Sequence, residues 1–152
     1  MIRVFLVEDE PPALRRLERL VAGVPDLFVC GTAATCAAAI AGVSQLHPQL
    51  LIVDIRLPDG TGFEILQALH EPEIQTIFLT AYDQYAVEAF QVAAIDYLLK
   101  PVGEDRFRQA IQRVRDRIAQ PPPTRQPKYL KRFLVERRKA APERVRVGGS
   151  ER

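Results

Sequence analysis

Five short apolar runs, at residues 2–7, 27–32, 50–53, 74–79 and 95–99, constrain this chain more than any other feature. They are mostly continuous rather than alternating, as a strand covered on both faces must be. Between them the apolar residues change to helical spacing. Pro11-Pro12 suits the opening of a helix, whose first turn has no intrahelical use for those N–H groups. Ala13, Leu14, Leu17, Leu20 and Val21 then fall on one face. Residues 35–46 are Ala-rich and end at His47-Pro48. Phe63, Leu66 and Leu69 stop before Pro72, residues 84–91 carry Ala86, Val87, Ala89 and Phe90, and Phe107, Ile111, Val114 and Ile118 form a 3.6-residue stripe. Strand and helix alternating five times predict a doubly wound α/β fold, a parallel sheet with helices on both faces.

Length and composition agree. The chain has 152 residues, 47% hydrophobic and 26% charged, enough for one ordinary domain with a short second piece and unlike a disordered protein. No apolar run approaches the roughly 18 residues of a membrane span. The first run meets Glu8 too soon for a signal peptide, so a cytoplasmic location is expected, with no membrane partner. Cys30 and Cys36 are too few for a disulfide scaffold and lack metal-ligand spacing; they read as buried, reduced thiols.

Charge divides the chain. Residues 1–120 hold 11 Lys+Arg against 16 Asp+Glu, a net −5, whereas residues 121–152 hold 10 against 3, a net +7. The proline-rich segment 120–127 lies near the change and cannot continue a helix. The expected organisation is a domain over 1–119, a linker over 120–127 and a basic tail over 128–152. In the tail, residues 129–138 and 144–147 have strand character, although two strands alone are marginal in water.

The polar residues at strand ends carry the chemistry. Glu8-Asp9-Glu10 follow the first strand, Asp54 the third, Thr80 closes the fourth and Lys100 the fifth. Ligands bind at such carboxyl ends, where strand order reverses. If the first and third strands are neighbours there, Glu8, Asp9 and Asp54 converge. Three carboxylates so close repel one another unless a cation joins them, and oxygen-only ligands suit Mg2+. A metal at that place can hold a phosphoryl group against Asp54, with Lys100 as a second cation and Thr80 as a hydroxyl donor.

Val7-Glu8-Asp9-Glu10, the stretch Ile52-Val53-Asp54-Ile55-Arg56-Leu57-Pro58-Asp59-Gly60-Thr61-Gly62, Phe78-Leu79-Thr80-Ala81 and Asp96-Tyr97-Leu98-Leu99-Lys100-Pro101 occur in that order. In this the sequence resembles the receiver domain of two-component response regulators over residues 1–120. The resemblance implies a flavodoxin-like five-stranded parallel sheet of order 2-1-3-4-5. It implies Asp54 as phosphoacceptor for a sensor histidine kinase. Glu8, Asp9, Asp54 and the main-chain carbonyl of Arg56 are then the Mg2+ ligands, a role in which the Arg56 side chain need not matter. Thr80, Ala81, Lys100 and Tyr97 form the phosphate-binding and switching set, with Tyr97 turning inward when Thr80 moves. A cis bond is implied before Pro101. The expected protein is a phospho-accepting switch, not an enzyme beyond self-phosphorylation and self-dephosphorylation. Its output surface lies on the fourth helix, fifth strand and fifth helix, with a homodimer formed through Phe90, Val92 and nearby alanines.

A narrower resemblance rests on Ala81-Tyr82-Asp83-Gln84-Tyr85-Ala86-Val87-Glu88-Ala89-Phe90 and Ala94-Ile95-Asp96-Tyr97-Leu98-Leu99-Lys100-Pro101. Receivers of the LytTR class are similar there, and the tail resembles the first strands of the LytTR DNA-binding domain. That all-β domain is several times longer than the 25 residues of 128–152. DNA contact is therefore expected only through a more complete C-terminal domain, with transcription regulation as the output of the full-length protein.

Two other classes fit less well. An Asp-dependent phosphatase or phosphotransferase for small molecules resembles haloacid-dehalogenase-like enzymes, which want a second Asp where Arg56 stands. A flavin-binding module needs a phosphate cradle where Glu8-Asp9-Glu10 would repel phosphate. His47 and His70 read as surface residues near helix ends.

Overall fold

The computed structural model describes residues 1–69 and 73–120. His70, Pro72, the linker beyond Gln120 and the basic tail lie outside the described residues, so the expectations placed on them stand as they were. In chain order the elements are β1 (Ile2–Val7), α1 (Pro11–Ala22), β2 (Leu27–Ala33), α2 (Cys36–Leu46), β3 (Leu50–Val53), β4 (Arg56–Leu57), β5 (Gly60–Thr61), α3 (Gly62–Ala68), β6 (Gln75–Thr80), α4 (Ala86–Gln91), β7 (Asp96–Leu99) and α5 (Glu104–Ala119).

The main sheet runs β2-β1-β3-β6-β7, all parallel. Counting only its own strands, this is the expected order 2-1-3-4-5. Each apolar run becomes one of its strands, with ends displaced by at most a residue. The β4–β5 pair is a two-residue antiparallel ribbon, Arg56 opposite Thr61 and Leu57 opposite Gly60, that no apolar pattern announces.

The two-residue period of the strands divides the core in two. Val4, Leu6, Ile52, Ile77 and Leu79 pack on Leu17 and Val21 of α1 and on Phe107, Ile111 and Val114 of α5. Phe5, Val7, Leu51, Val53 and Phe78 point the other way, onto Ala39 and Val43 of α2, Ile65 of α3 and Ala89 of α4. Leu50, Leu51, Ile52 and Val53 have no exposed surface. Each such side chain contributes about 1.5–3 kcal/mol of burial free energy. The edges behave differently: β2 leaves Phe28 41% exposed, and β7 leaves Leu99 47% exposed. Burial on both faces thus holds for the inner strands but not along all of β2 and β7.

Local chemistry fixes the helix starts. Thr35 accepts from the Ala38 N–H at 3.1 Å at the start of α2, and Thr61 and Glu64 form a capping box on α3. Asp59, from the β4–β5 turn, also accepts from the Cys36 and Ala37 N–H groups at 2.7 and 3.1 Å, tying the loop after β3 to α2. Gly42, in mid-helix, gives up helix propensity for space: a Cβ there would lie 2.6 Å from the Phe5 ring.

Asp96 opens β7 and is 9% exposed. Its carboxylate accepts from Arg106 at 2.9 and 2.7 Å and faces Arg113 at 3.3 Å, which locks β7 to α5. Burial pushes this carboxyl upward, but the Arg106 bonds outweigh it and leave it below 3.8. A lowered carboxyl contributes stability that is complete above the ordinary value and is lost as pH falls through the folded one. Asp96→Asn is therefore expected to cost about 1–3 kcal/mol at pH 7. Urea titrations should show the gap to wild type closing below about pH 4.

Candidate phosphoryl-accepting site

The sheet register assembles the site. Val7 pairs with Val53, so the residues that follow them, Glu8 and Asp54, leave adjacent strands side by side. The Asp54 N–H donates to the Val7 carbonyl at 3.1 Å. Thr80 pairs with Leu99, and the Lys100 N–H donates to the Thr80 carbonyl at 2.8 Å, bringing the next strand ends to the same rim. Gly62 lets α3 start hard against this rim, since a Cβ there would lie 2.7 Å from the Asp54 carbonyl oxygen.

Carboxylate oxygens of Glu8, Asp9 and Asp54 lie within 4.8 Å of one another. Glu8 and Asp54 are buried, 3% and 6% exposed. The Lys100 ammonium donates to Glu8 Oε1 at 2.6 Å and to Asp54 Oδ2 at 2.8 Å. The other oxygens are held by the backbone: Asp54 Oδ1 accepts from the Ile55 N–H at 2.6 Å, and Glu8 Oε2 from the Glu10 N–H at 3.2 Å.

Burial holds the Glu8 carboxyl above its usual value despite Lys100. Burial pulls Lys100 down, but its bonds to Asp54 and Glu8 outweigh that and leave it above 10.5. With all three acids ionised, one ammonium leaves two negative charges unbalanced. Hard oxygen donors with that excess charge fit a divalent cation such as Mg2+. Glu8, Asp9 and Asp54 could hold it, and the carbonyl of Arg56 belongs to the loop immediately beyond.

Thr80 has no exposed surface, and its hydroxyl accepts from the Tyr82 N–H at 3.4 Å. Ala81 beside it is exposed. Tyr97 is half-buried, its ring centroid 6.4 Å from that of Phe78, and its hydroxyl donates to the Tyr82 carbonyl. The Lys100–Pro101 bond is cis. The structure thus gathers Glu8, Asp9, Asp54, Thr80 and Lys100 at one rim, with Tyr97 joined to the Thr80 loop through Tyr82.

One expectation needs correction. Val92 is 8% exposed and packs in the core, so it offers no surface for a dimer. The helix ends at Gln91, and the chain turns back at Ala93 (φ 63°). The exposed apolar residues there are Phe90 at 83% and Val87 at 70%. The Arg56 side chain, on which the carbonyl's metal-ligand role does not depend, makes contacts of its own: its guanidinium carbon stands 4.3 Å from the Tyr82 ring centroid, and it donates to the Tyr85 hydroxyl. Among the polar contacts that sequence reasoning missed, this one and the Asp59 cap join loops far apart in the chain, where no periodic signal exists.

Residues 4–112 match the response regulator receiver domain family. The chain belongs to that family and is a receiver domain of two-component response regulators. It is 42% identical over 118 residues to the transcriptional regulatory protein BtsR of Salmonella typhi, an overlap of 76% of this chain and 48% of that one. The BtsR of Escherichia coli K12 is 38% identical over 118 residues, with the same coverage. The chain spans about half the length of these curated relatives. Among solved structures, the receiver domain of AraT from Geobacillus stearothermophilus aligns with a TM-score of 0.71 at 25% identity, covering 78% of this chain and 96% of that one. The response regulatory domain of mrkE from Klebsiella pneumoniae aligns with a TM-score of 0.69 at 26% identity, covering 76% and 96%.

Proposed function

We propose that this chain is a signalling switch phosphorylated on Asp54 by a sensor histidine kinase, with Mg2+ held by Glu8, Asp9, Asp54 and the Arg56 carbonyl. The observation that carries the reading is the closeness of three carboxylates, one of them 2.8 Å from the Lys100 ammonium. In the transfer a bond forms between an Asp54 carboxylate oxygen and phosphorus, and the donor's bond to phosphorus breaks. A divalent cation bound there would neutralise charge between the carboxylates and the incoming phosphoryl oxygens. Lys100 can exchange a carboxylate for a phosphoryl oxygen, while the Thr80 hydroxyl and the Ala81 backbone sit at the next strand end to receive another. Phosphoryl transfer asks for little beyond this positioning and positive charge.

Binding these groups only in one arrangement shifts a two-state equilibrium. The output surface is α4, β7 and α5, and Val87, Phe90 and Leu99 supply exposed apolar area for a homodimer there. The residues at 81–90 and 94–101 support the LytTR class, and relatives named as transcriptional regulators support transcription control, with DNA reached through a more complete C-terminal domain. On this reading the domain covers 1–119, acts in the cytoplasm and is a phospho-accepting switch rather than an enzyme. Among the described residues no helix is long and apolar enough to cross a membrane.

Acetyl phosphate with Mg2+ should add one acid-labile phosphoryl group to the wild-type chain, and excess EDTA should hold labelling at background. Labelling that persists without a divalent cation would contradict the metal assignment; no labelling with it would contradict the phosphoacceptor.

A further inference from the structure

Residues 1–120 carry a net −5, yet α1 and α5 gather cations around one hollow. Between the two helices lies a cavity of about 230 Å³. Arg16 and Arg19 of α1 and Arg108 of α5 line it with a single carboxylate, Glu104, while Val24 and Phe107 give it an apolar wall. Arg16 Nη2 donates to the Val102 carbonyl at 2.8 Å, which fixes this guanidinium in place and leaves its other N–H groups to spare. Arg19 makes no side-chain hydrogen bond and no ion pair among the described residues. Arg108 has only long contacts, 3.7 Å to Glu104 and 4.0 Å to Asp105. Three cations less one anion leave the cavity a net +2. Like charges held this close repel one another, and an anion between them relieves that repulsion.

We propose that this cavity binds a small organic phosphate, its phosphoryl oxygens on Arg16, Arg19 and Arg108 and its apolar part against Val24 and Phe107. The planar fork of a guanidinium matches phosphate oxygens in pairs. A phosphate monoester carries about −1.5 to −2 at pH 7, which matches the charge of the cavity better than a monocarboxylate does. Size sets the rest of the ligand. Pockets for drug-sized molecules begin at about 300 Å³, so this one takes a phosphate with one ring or a short chain. The site is separate from the carboxylate rim, where Glu8, Asp9 and Asp54 repel an anion unless a cation is bound. It does not depend on the phosphoacceptor reading.

Phenyl phosphate, compared with inorganic phosphate, is titrated into the 152-residue chain in EDTA at constant ionic strength, with backbone amides followed by NMR. Phenyl phosphate should give saturable shifts at Gly23, Val24, Phe107 and Arg108, and should bind more tightly than inorganic phosphate because its ring meets the apolar wall. Arg19→Gln and Arg108→Gln should each weaken it about three- to tenfold, between the effects of an exposed ion pair and of a charge-assisted hydrogen bond. Glu104→Gln should tighten it about two- to fivefold, since it removes the one repelling carboxylate and frees Arg108. Arg15→Gln removes an exposed charge of α1 that does not line the cavity, and binding should stay unchanged. Arg19 and Arg108 lie on different helices, so a folding defect in one variant leaves the other to decide. An equal loss in Arg15→Gln, or shifts that never saturate, would mean that net charge alone attracts phosphate, and overturns the site. Shifts confined to the carboxylate rim or to residues 121–152, or equal affinity for inorganic phosphate, overturn it as well.

Discussion

Asp54→Ala is expected to take up no acid-labile phosphoryl group from acetyl phosphate and Mg2+ under conditions in which the wild-type chain takes one. On the proposed reading the Asp54 carboxylate is the attacking group, and no neighbour is placed to replace it. Glu8 is 3% exposed and bound by Lys100 and the Glu10 N–H, while Asp9 lies on the more open side of the cluster. The effect should therefore be a fall to background rather than a partial loss. The fold should survive the change, because Lys100 keeps Glu8 as a partner at 2.6 Å. Radiolabel or intact-mass measurement at matched protein concentration checks this, with a urea titration to confirm folding. Equal label on the variant would mean that the phosphoryl group goes elsewhere and that the strand-end cluster is only structural.

Phe107→Ala should be among the most costly core truncations, at about 3–5 kcal/mol. Phe107 is 1% exposed and stands in the stripe of α5 that faces Ile77, Leu79 and Leu98. Removing the ring loses its transfer free energy and leaves a space that a helix pinned by the Asp96–Arg106 bonds cannot readily close. A domain of this kind has about 5–15 kcal/mol of stability in all, so the variant should be marginal at 37 °C. The urea midpoint should fall steeply with little change in slope. A loss below about 1 kcal/mol would show that α5 can collapse onto the sheet after all.

How much of this was legible in the sequence depends on the physical reach of each signal. Leu50-Leu51-Ile52-Val53 announces a central strand because a continuous apolar run is stable only when both faces are covered, and all four residues are fully buried. The run at 27–32 looks similar yet lies at the sheet edge, because hydrophobicity does not report how many neighbours a strand has. The acidic cluster was legible because strand ends in an open parallel sheet share one rim, so Glu8, Asp9 and Asp54 could be placed together with Thr80 and Lys100 without side-chain geometry. Val92 was not: its burial follows from where a six-residue helix stops and how Ala93 turns the chain. Nor was the grip of Arg56 on Tyr85, a side-chain contact between residues 29 apart, one in the two-residue strand β4 and one just before α4.

Lys100 straddles Glu8 and Asp54, so the chain reaches its native form with an ammonium already set between these two carboxylates. On the proposed reading, building the domain and loading a divalent cation are then separate events. A chelator is then expected to stop phosphoryl uptake without unfolding the chain.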